Sequence, residues 1–380
     1  MKFEEFKSGS YLPQQDYKSF SPTRINQQWI WQEGKINTLL SEANRKLGAL
    51  DTFALQIPDI DIFIEMHIAK EATKSSKIEG TQTEIEEALK KESEIAPERK
   101  DDWQEVHNYI EAMNSSITRL KTLPVSTRLL KDSHRILMKG ARGAHRNPGE
   151  FRTNQNWIGG ATIQDATYVP PVHTEINELM SDLEKFLHND QIDVPVLIKA
   201  GIAHYQFETI HPFLDGNGRI GRLLISLYLV STKLLVKPSL YLSDYFERHR
   251  QLYYDNLNNV RVKNDLAQWI KFFLIGIIET SDKGITTFKS ILKLKEEIED
   301  KKWPELGKKL PTAKQLMKYL YKKPVVNVQE IQYELKVSLP TANSLIADFE
   351  RLKILNEKTG YKRNREFEFT EYLKLFKENK

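Results

Sequence analysis

The sequence predicts a mainly α-helical protein, a helical bundle interrupted by one β-hairpin and followed by a small C-terminal unit of three helices and a hairpin. Three observations predict it. Apolar residues recur at helical spacing in one segment after another. Before residue 300 that pattern gives way to a pair of short β-prone runs around Gly159-Gly160. Pro304 and Gly307 then punctuate the chain ahead of a run of shorter elements.

The chain has 380 residues, which favours two or three domains. We divide it into an N-terminal helical region at 1–100, a core at 101–303 and a small unit at 304–380. It contains no cysteine, which excludes disulfides and thiolate metal sites and fits a reducing cytosol. Met1 to Gly9 is charged and lacks the apolar core of a signal peptide. No apolar run approaches a membrane span, so the expectation is a cytoplasmic protein without a membrane partner. A net charge of +4 points by itself to neither nucleic acid nor membrane.

In order, the segment up to Asn26 is rich in Gln, Ser and Pro and reads as irregular surface chain. Gln27 to Leu50 turns helical, with Leu39, Leu40, Ala43 and Leu47 on one face. Pro58 opens the next helix, a favoured place for proline. That helix carries Ile62, Phe63, Met66 and Ala69 and runs to Ser75-Ser76-Lys77-Ile78-Glu79-Gly80, with Gly80 where a C-terminal cap belongs. Ser75 and Glu79, four apart, share a face. Thr83 and Glu86 have capping-box spacing for a helix to about Lys91. Lys90 to Asp102 reads as an exposed connection.

Helices are expected at Trp103 to Lys121 and Ser126 to Met138, with His134 as a structural helix residue. The β-prone runs lie in 148–171, around Gly159-Gly160. Thr174 to Leu187 and Val194 to Phe207 are amphipathic, and the second delivers the chain to His211. Tyr245 to Val260 and Leu266 to Ile278 read as helices, followed by a charged helix to about Lys302. In the last unit, helices at Thr312 to Tyr321, Val328 to Leu335 and Thr341 to Leu352 precede a basic β-rich tail from Ile354 to Phe369. Three helices with a Gly-containing hairpin resemble a winged helix-turn-helix. Its modest basic excess is the electrostatic footprint of a DNA-binding unit, whereas Asp348 and Glu350 on the candidate recognition helix oppose that role. Dimerisation or protein docking is the competing expectation.

The chemistry concentrates in His211-Pro212-Phe213-Leu214-Asp215-Gly216-Asn217-Gly218-Arg219-Ile220-Gly221-Arg222. Ile220, Leu223, Leu224 and Leu227 form a helical stripe, so Gly216-Asn217-Gly218 opens a helix whose N-terminus is a ready anion site. Glycines let backbone N–H groups approach a phosphate closely. Arg219 and Arg222 can reach one polyphosphate together. Asp215 suits a Mg²⁺ that bridges phosphate oxygens. His211 can act as general base near neutral pH. These are the parts for nucleotidyl or phosphoryl transfer.

The stretch matches HPFxDGNGRxxR, the signature of the Fic family, at every fixed position, and the chain resembles a Fic-domain AMP transferase over roughly 30–290. The resemblance implies a Fic-type helical bundle with the hairpin as a flap that aligns an extended target segment. Ile158 to Ala161 and Thr167-Tyr168 are its expected contact positions. It implies transfer of AMP from Mg-ATP to a protein Ser, Thr or Tyr hydroxyl. His211 would be the base, Asp215 the Mg²⁺ ligand, and Gly216, Asn217 and Gly218 the anion cradle. Arg219, Ile220, Gly221 and Arg222 belong to the nucleotide site, Glu208 could orient His211 or touch nucleotide, and Tyr254 would contact adenosine.

Ser75-x-x-x-Glu79-Gly80 matches the family's inhibitory pattern and implies a Glu79–Arg222 pair. A homodimer is also expected. Removal of AMP, and a nucleotide-sensing DNA-binding regulator, are the alternative functions.

Overall fold

The computed structural model describes residues 1–57, 59–140, 145–360 and 365–377. Pro58, expected to open a helix, and part of the basic tail (361–364) lie outside the described residues.

The N-terminal segment is not irregular. It forms an antiparallel hairpin of β1 (Gly9–Pro13) and β2 (Lys18–Pro22), in the register Tyr11 to Phe20. Tertiary packing overrides its turn-rich composition: Phe20 is buried beside Tyr11 and Tyr168, and its N–H donates to the Val169 carbonyl at 2.9 Å.

The helix predicted from Gln27 starts later and ends later, as α1 (Gly34–Gln56), whose stripe Ile36, Leu39, Ala43, Leu47, Leu50 and Ala54 is buried. It packs along α11 (Leu266–Lys301). Two predicted helices merge in α11, because Phe288, Ile291 and Ile298 continue the buried face set by its apolar first half. At 36 residues it is about 54 Å long.

α2 (Ile60–Ile78) is buried on nearly every side, since α4 (Lys100–Arg119), α9 (Ser243–Arg248) and α12 (Leu310–Lys322) surround it. The expected capping box shifts by one residue: Glu84 precedes the short α3 (Ile85–Ala88), and its N–H donates to Glu87 Oε2 at 3.4 Å.

α5 (Thr127–Leu137) is capped by Ser126. α6 (Ile176–Leu187) packs on α7 (Val196–Ile210), and α7 packs on α8 (Asn217–Ser231). α7 and α8 are buried almost all round and form the centre of the bundle. The predicted Tyr245–Val260 helix is broken at His249 into α9 and α10 (Arg250–Lys263).

The flap is less of a hairpin than its sequence suggests. Among the described residues of the flap only Ile158 and Tyr168 pair, with N–H···O distances of 2.8 and 3.1 Å in the two directions. The tip instead folds around Asp165, which accepts from the Ala161 and Thr162 N–H groups.

In the last unit, α12 is followed by β3 (Val325–Asn327), α13 (Val328–Leu335), α14 (Leu339–Arg351), β4 (Asn356–Glu357), β5 (Glu366–Glu368) and α15 (Thr370–Lys374). The sheet is antiparallel in the order β3-β5-β4, with β3 an addition to the two predicted strands. The unit is seated on α2: Phe63 meets Tyr321 and Tyr372 at ring-centroid distances of 5.0 and 6.5 Å, and His67 meets Phe376 at 5.1 Å. One continuous apolar core spans both parts.

Candidate active site

α7 ends at His211, which adopts a left-handed conformation (φ 50°, ψ 58°) and turns the chain into the loop before α8. Gly216, at φ 75°, caps the start of α8 where a Cβ would be strained. The loop is held rigidly. Asn217 Oδ1 accepts from the Phe213 N–H at 2.8 Å, and its Nδ2 donates to the Phe213 carbonyl at 2.9 Å. The Asn217 side chain is therefore a loop clamp, which leaves its backbone N–H for an anion. His134 is structural in a specific way: its ring stacks on Phe213 and its Nε2 lies 3.0 Å from the Asp215 carbonyl.

The His211 imidazole is pushed down to about 3, first by burial and then by the Arg261 and Arg152 cations. It is neutral at physiological pH, the state a proton acceptor needs. The Glu208 carbonyl and Asp215 act the other way. Nδ1 is buried and has no hydrogen-bond partner of good geometry among the described residues. Asp215 Oδ1 accepts from the Gly216 N–H at 2.6 Å and lies 3.8 Å from Arg219 Nη2.

The two arginines have different surroundings. Arg219 donates from Nη1 to Glu105 on α4 at 3.0 Å. Arg222 donates from Nε to the Ser75 hydroxyl at 2.8 Å, and from Nη2 to the Ser75 carbonyl at 2.9 Å and Glu79 Oε1 at 2.6 Å. The end of α2 thus delivers Ser75 and Glu79 to the guanidinium, as the inhibitory pattern implies. A Cβ added to Gly218 would lie 2.2 Å from Glu79 Oε1, so the carboxylate rests against the opening turn of α8. Gly80 follows at φ 105°, just past the helix end.

Glu208 is buried against α8, where a Cβ on Gly221 would lie 2.1 Å from its Oε1. Burial raises its carboxyl to about 7, against the opposing pull of Arg222. Tyr254 is 39 % exposed, and its hydroxyl lies 3.4 Å from the Ile78 carbonyl, beside the Glu79 turn.

The Ile220 side chain is fully buried in the core, and its N–H donates to the Gly216 carbonyl at 3.1 Å.

Sequence reasoning missed two groups. Glu71, buried on α2, accepts from the Ser243 N–H and hydroxyl and from Tyr109, and burial raises its carboxyl. The signal was the four-residue spacing of His67, Glu71, Ser75 and Glu79, a polar rail down one side of α2. Arg152, at the root of the flap, is buried and hydrogen-bonded to the His211 carbonyl. It lies in a loop, where no periodicity could mark it.

Residues 37–118 match the Fic/DOC family N-terminal model, and residues 124–229 match the Fic/DOC family model. A protein adenylyltransferase Fic of Aedes aegypti is 34% identical over 125 residues, 33% of this chain and 22% of the relative. One of Drosophila yakuba is 40% identical over 84 residues, 22% of this chain and 15% of the relative. The matches thus span between about a seventh and a fifth of those relatives' length.

In fold, the chain resembles a Fic family protein from Desulfovibrio desulfuricans G20, with a TM-score of 0.58 at 19% identity, covering 90% of this chain and 98% of that one. A Fic domain containing signaling protein from Bacteroides thetaiotaomicron gives a TM-score of 0.51 at 18% identity, covering 66% and 95%. On these two matched regions, the chain carries a Fic/DOC family N-terminal domain and a Fic/DOC family domain.

Proposed function

We propose that the chain transfers AMP from Mg-ATP to a Ser, Thr or Tyr hydroxyl of a protein, itself included, and that Glu79 restrains this reaction. The observation that carries the reading is the convergence of neutral His211, Asp215 and the N-terminus of α8 on one loop whose second arginine is held by Glu79. The name of the Aedes aegypti relative, protein adenylyltransferase, supports the reaction class.

In this reading His211 takes the proton of the acceptor hydroxyl. The hydroxyl oxygen bonds to the α-phosphorus, the bond from that phosphorus to the oxygen bridging to the β-phosphate breaks, and pyrophosphate leaves. Backbone N–H groups at the start of α8 stabilise the charge that grows on the α-phosphate oxygens. Arg219 and Arg222 offset the β- and γ-phosphate charge, and Tyr254 borders the adenosine.

Asp215 fits magnesium. Its two named contacts both fall on Oδ1, leaving Oδ2 for a hard cation that otherwise takes phosphate and water oxygens. When bound, the ion would offset phosphate charge beside Asp215. Glu79, lying against Gly218 and on Arg222, occupies charge and space that a γ-phosphate would need.

We assign the chain to the cytosol, as a homodimer whose C-terminal unit is a winged helix that docks DNA or protein. The acidic groups of α14 are balanced within the unit, Asp348 by Lys309 and Arg351, and Glu350 by Arg365. Salt-sensitive binding of a duplex by the full chain supports DNA as the partner, and none at low salt excludes it.

The transfer itself is tested with ATP labelled at the α- or γ-phosphate. Wild type, Glu79→Gly and Glu79→Gly/His211→Ala are compared. Strong α-label on protein from Glu79→Gly alone supports transfer, restraint and base together. No label from any of the three, with ATP bound, overturns the forward reaction.

A further inference from the structure

We propose that Arg152 is a positioning residue that sets the distance between His211 and the flap, and so decides whether a hydroxyl aligned on the flap meets its base. The inference rests on the transfer reaction proposed above.

Arg152 is 2 % exposed, and among the described residues no carboxylate lies within ion-pair distance of it. A buried cation without a counter-charge is costly unless its donors are all engaged. Its donors are engaged by backbone carbonyls from three places. Nε donates to His211 O at 3.0 Å, Nη1 to Asn154 O at 3.2 Å, and Nη2 to Pro171 O at 2.5 Å and Ile210 O at 3.5 Å. Ile210 and His211 are the catalytic turn. Asn154 lies on the arm that enters the flap, and Pro171 on the arm that leaves it.

The need for this clamp follows from the turn. His211 leaves α7 through a left-handed conformation, so the carbonyls at the helix end lose their intrahelical partners. A planar guanidinium with five donors can collect several such carbonyls at once, whereas an ammonium, with three donors on one atom, cannot span them. Three further bonds run alongside. The Arg152 N–H donates to Pro212 O at 2.9 Å, Asn156 Nδ2 to Phe213 O at 2.9 Å, and Gln155 Nε2 to Pro170 O at 3.0 Å. The flap root and residues 210–213 are thereby stitched into one unit, with the Arg152 side chain at its centre.

The consequence is geometric. A general base must lie within about 3 Å of the proton it takes. A displacement of about 1 Å costs roughly a hundredfold in rate. His211 belongs to the turn, and the acceptor hydroxyl is held by the flap, so the Arg152 clamp fixes the one against the other. Its charge acts in the same place: Arg152 and Arg261 face the ring as cations, with Asp215 and the Glu208 carbonyl opposing them.

The test uses the full chain in the Glu79→Gly background, with Arg152→Lys and Arg152→Gln. Three quantities are measured: ATP affinity, α-label transferred to protein, and free AMP released by water. Arg152→Gln is expected to keep its ATP affinity and lose transfer tenfold to a hundredfold. Free AMP release should fall less, because water needs no alignment by the flap. Arg152→Lys should recover part of the transfer. In Arg152→Gln the acid limb of the rate–pH profile should move to higher pH, since a cation facing His211 is gone.

Full transfer in both variants overturns the proposal. So does an equal loss of transfer and AMP release, the mark of a merely structural role. Where Arg152→Gln does not fold, Arg152→Lys carries the same comparison, because it keeps charge and stem and loses only the fork. Absence of label from Glu79→Gly itself overturns the transfer reading rather than the role of Arg152.

Discussion

Arg222 Nη2 lies 2.6 Å from Glu79 Oε1 across the interface between α8 and the end of α2. The guanidinium is 1 % exposed and the carboxylate 34 %. The guanidinium is therefore held by packing, and the carboxylate is the more exposed of the two. Ser75 accepts from two further N–H groups of the same guanidinium, so Arg222 has an anchor besides Glu79. In the proposed restraint, Glu79 is the movable half of this pair.

Substituting the movable half should raise activity. Glu79→Gly is expected to increase AMP labelling by about tenfold or more, with a loss of stability of about 1–3 kcal/mol, since a buried charged donor loses an acceptor. Scintillation counting of α-label together with a thermal melt checks both.

Substituting the anchor should behave differently. Ser75→Ala removes the hydroxyl acceptor of a buried charged donor and should cost about 1–3 kcal/mol. Chemical denaturation measures that loss, and labelling should rise less than in Glu79→Gly.

The space at Gly221 is filled by Glu208. Gly221→Ala would bring a methyl group to 2.1 Å from Glu208 Oε1 and 3.1 Å from Phe207 Cδ1, both on buried side chains. Overpacking of this kind should cost about 1–3 kcal/mol, visible as a lower denaturation midpoint at an unchanged slope.

Stability should depend on pH with two opposing signs. Buried His67, His204 and His211 are pushed down to about 3, and His134 to about 4, so the folded state resists their protonation. Their contribution is complete above about 6.5 and is lost as the pH falls toward those values. Glu208, raised to about 7, contributes below about 4.5 and loses that contribution as the pH rises to 7. Four imidazoles outweigh one carboxyl, so the melting temperature should fall from pH 6.5 to pH 4.5. Glu208→Gln should match wild type near pH 5 and exceed it at pH 8, by up to about 3 kcal/mol. Melts across the pH range read both effects.

The C-terminal unit should unfold together with the core. Tyr372 is fully buried between Phe63 of α2 and Phe376, and its hydroxyl donates to Tyr321 O at 3.0 Å. Tyr372→Ala should cost about 3–5 kcal/mol. Calorimetry should show one transition for the whole wild-type chain, and two separated transitions would contradict the shared core.

The helices and the signature loop were legible in the sequence because both depend on neighbours along the chain. Apolar spacing places a helix's buried face, and Gly216 permits the turn that starts α8 whatever surrounds it. Ser75 and Glu79 were legible only as residues sharing a face, and their pairing with Arg222 was implied by resemblance. Relations between distant segments were not legible. Phe20 turns a proline- and serine-rich stretch into a hairpin only because Val169 and Tyr168 lie beside it. α11 continues past its apolar half because neighbouring elements cover Phe288, Ile291 and Ile298. Arg152 reads as a surface cation in a loop until the fold brings four carbonyls around it. Ile220, inside the signature, belongs to the core because α8 is packed on every side. Local periodicity and turn chemistry are properties of the sequence by itself, whereas the partners of a buried polar group are decided by tertiary contacts.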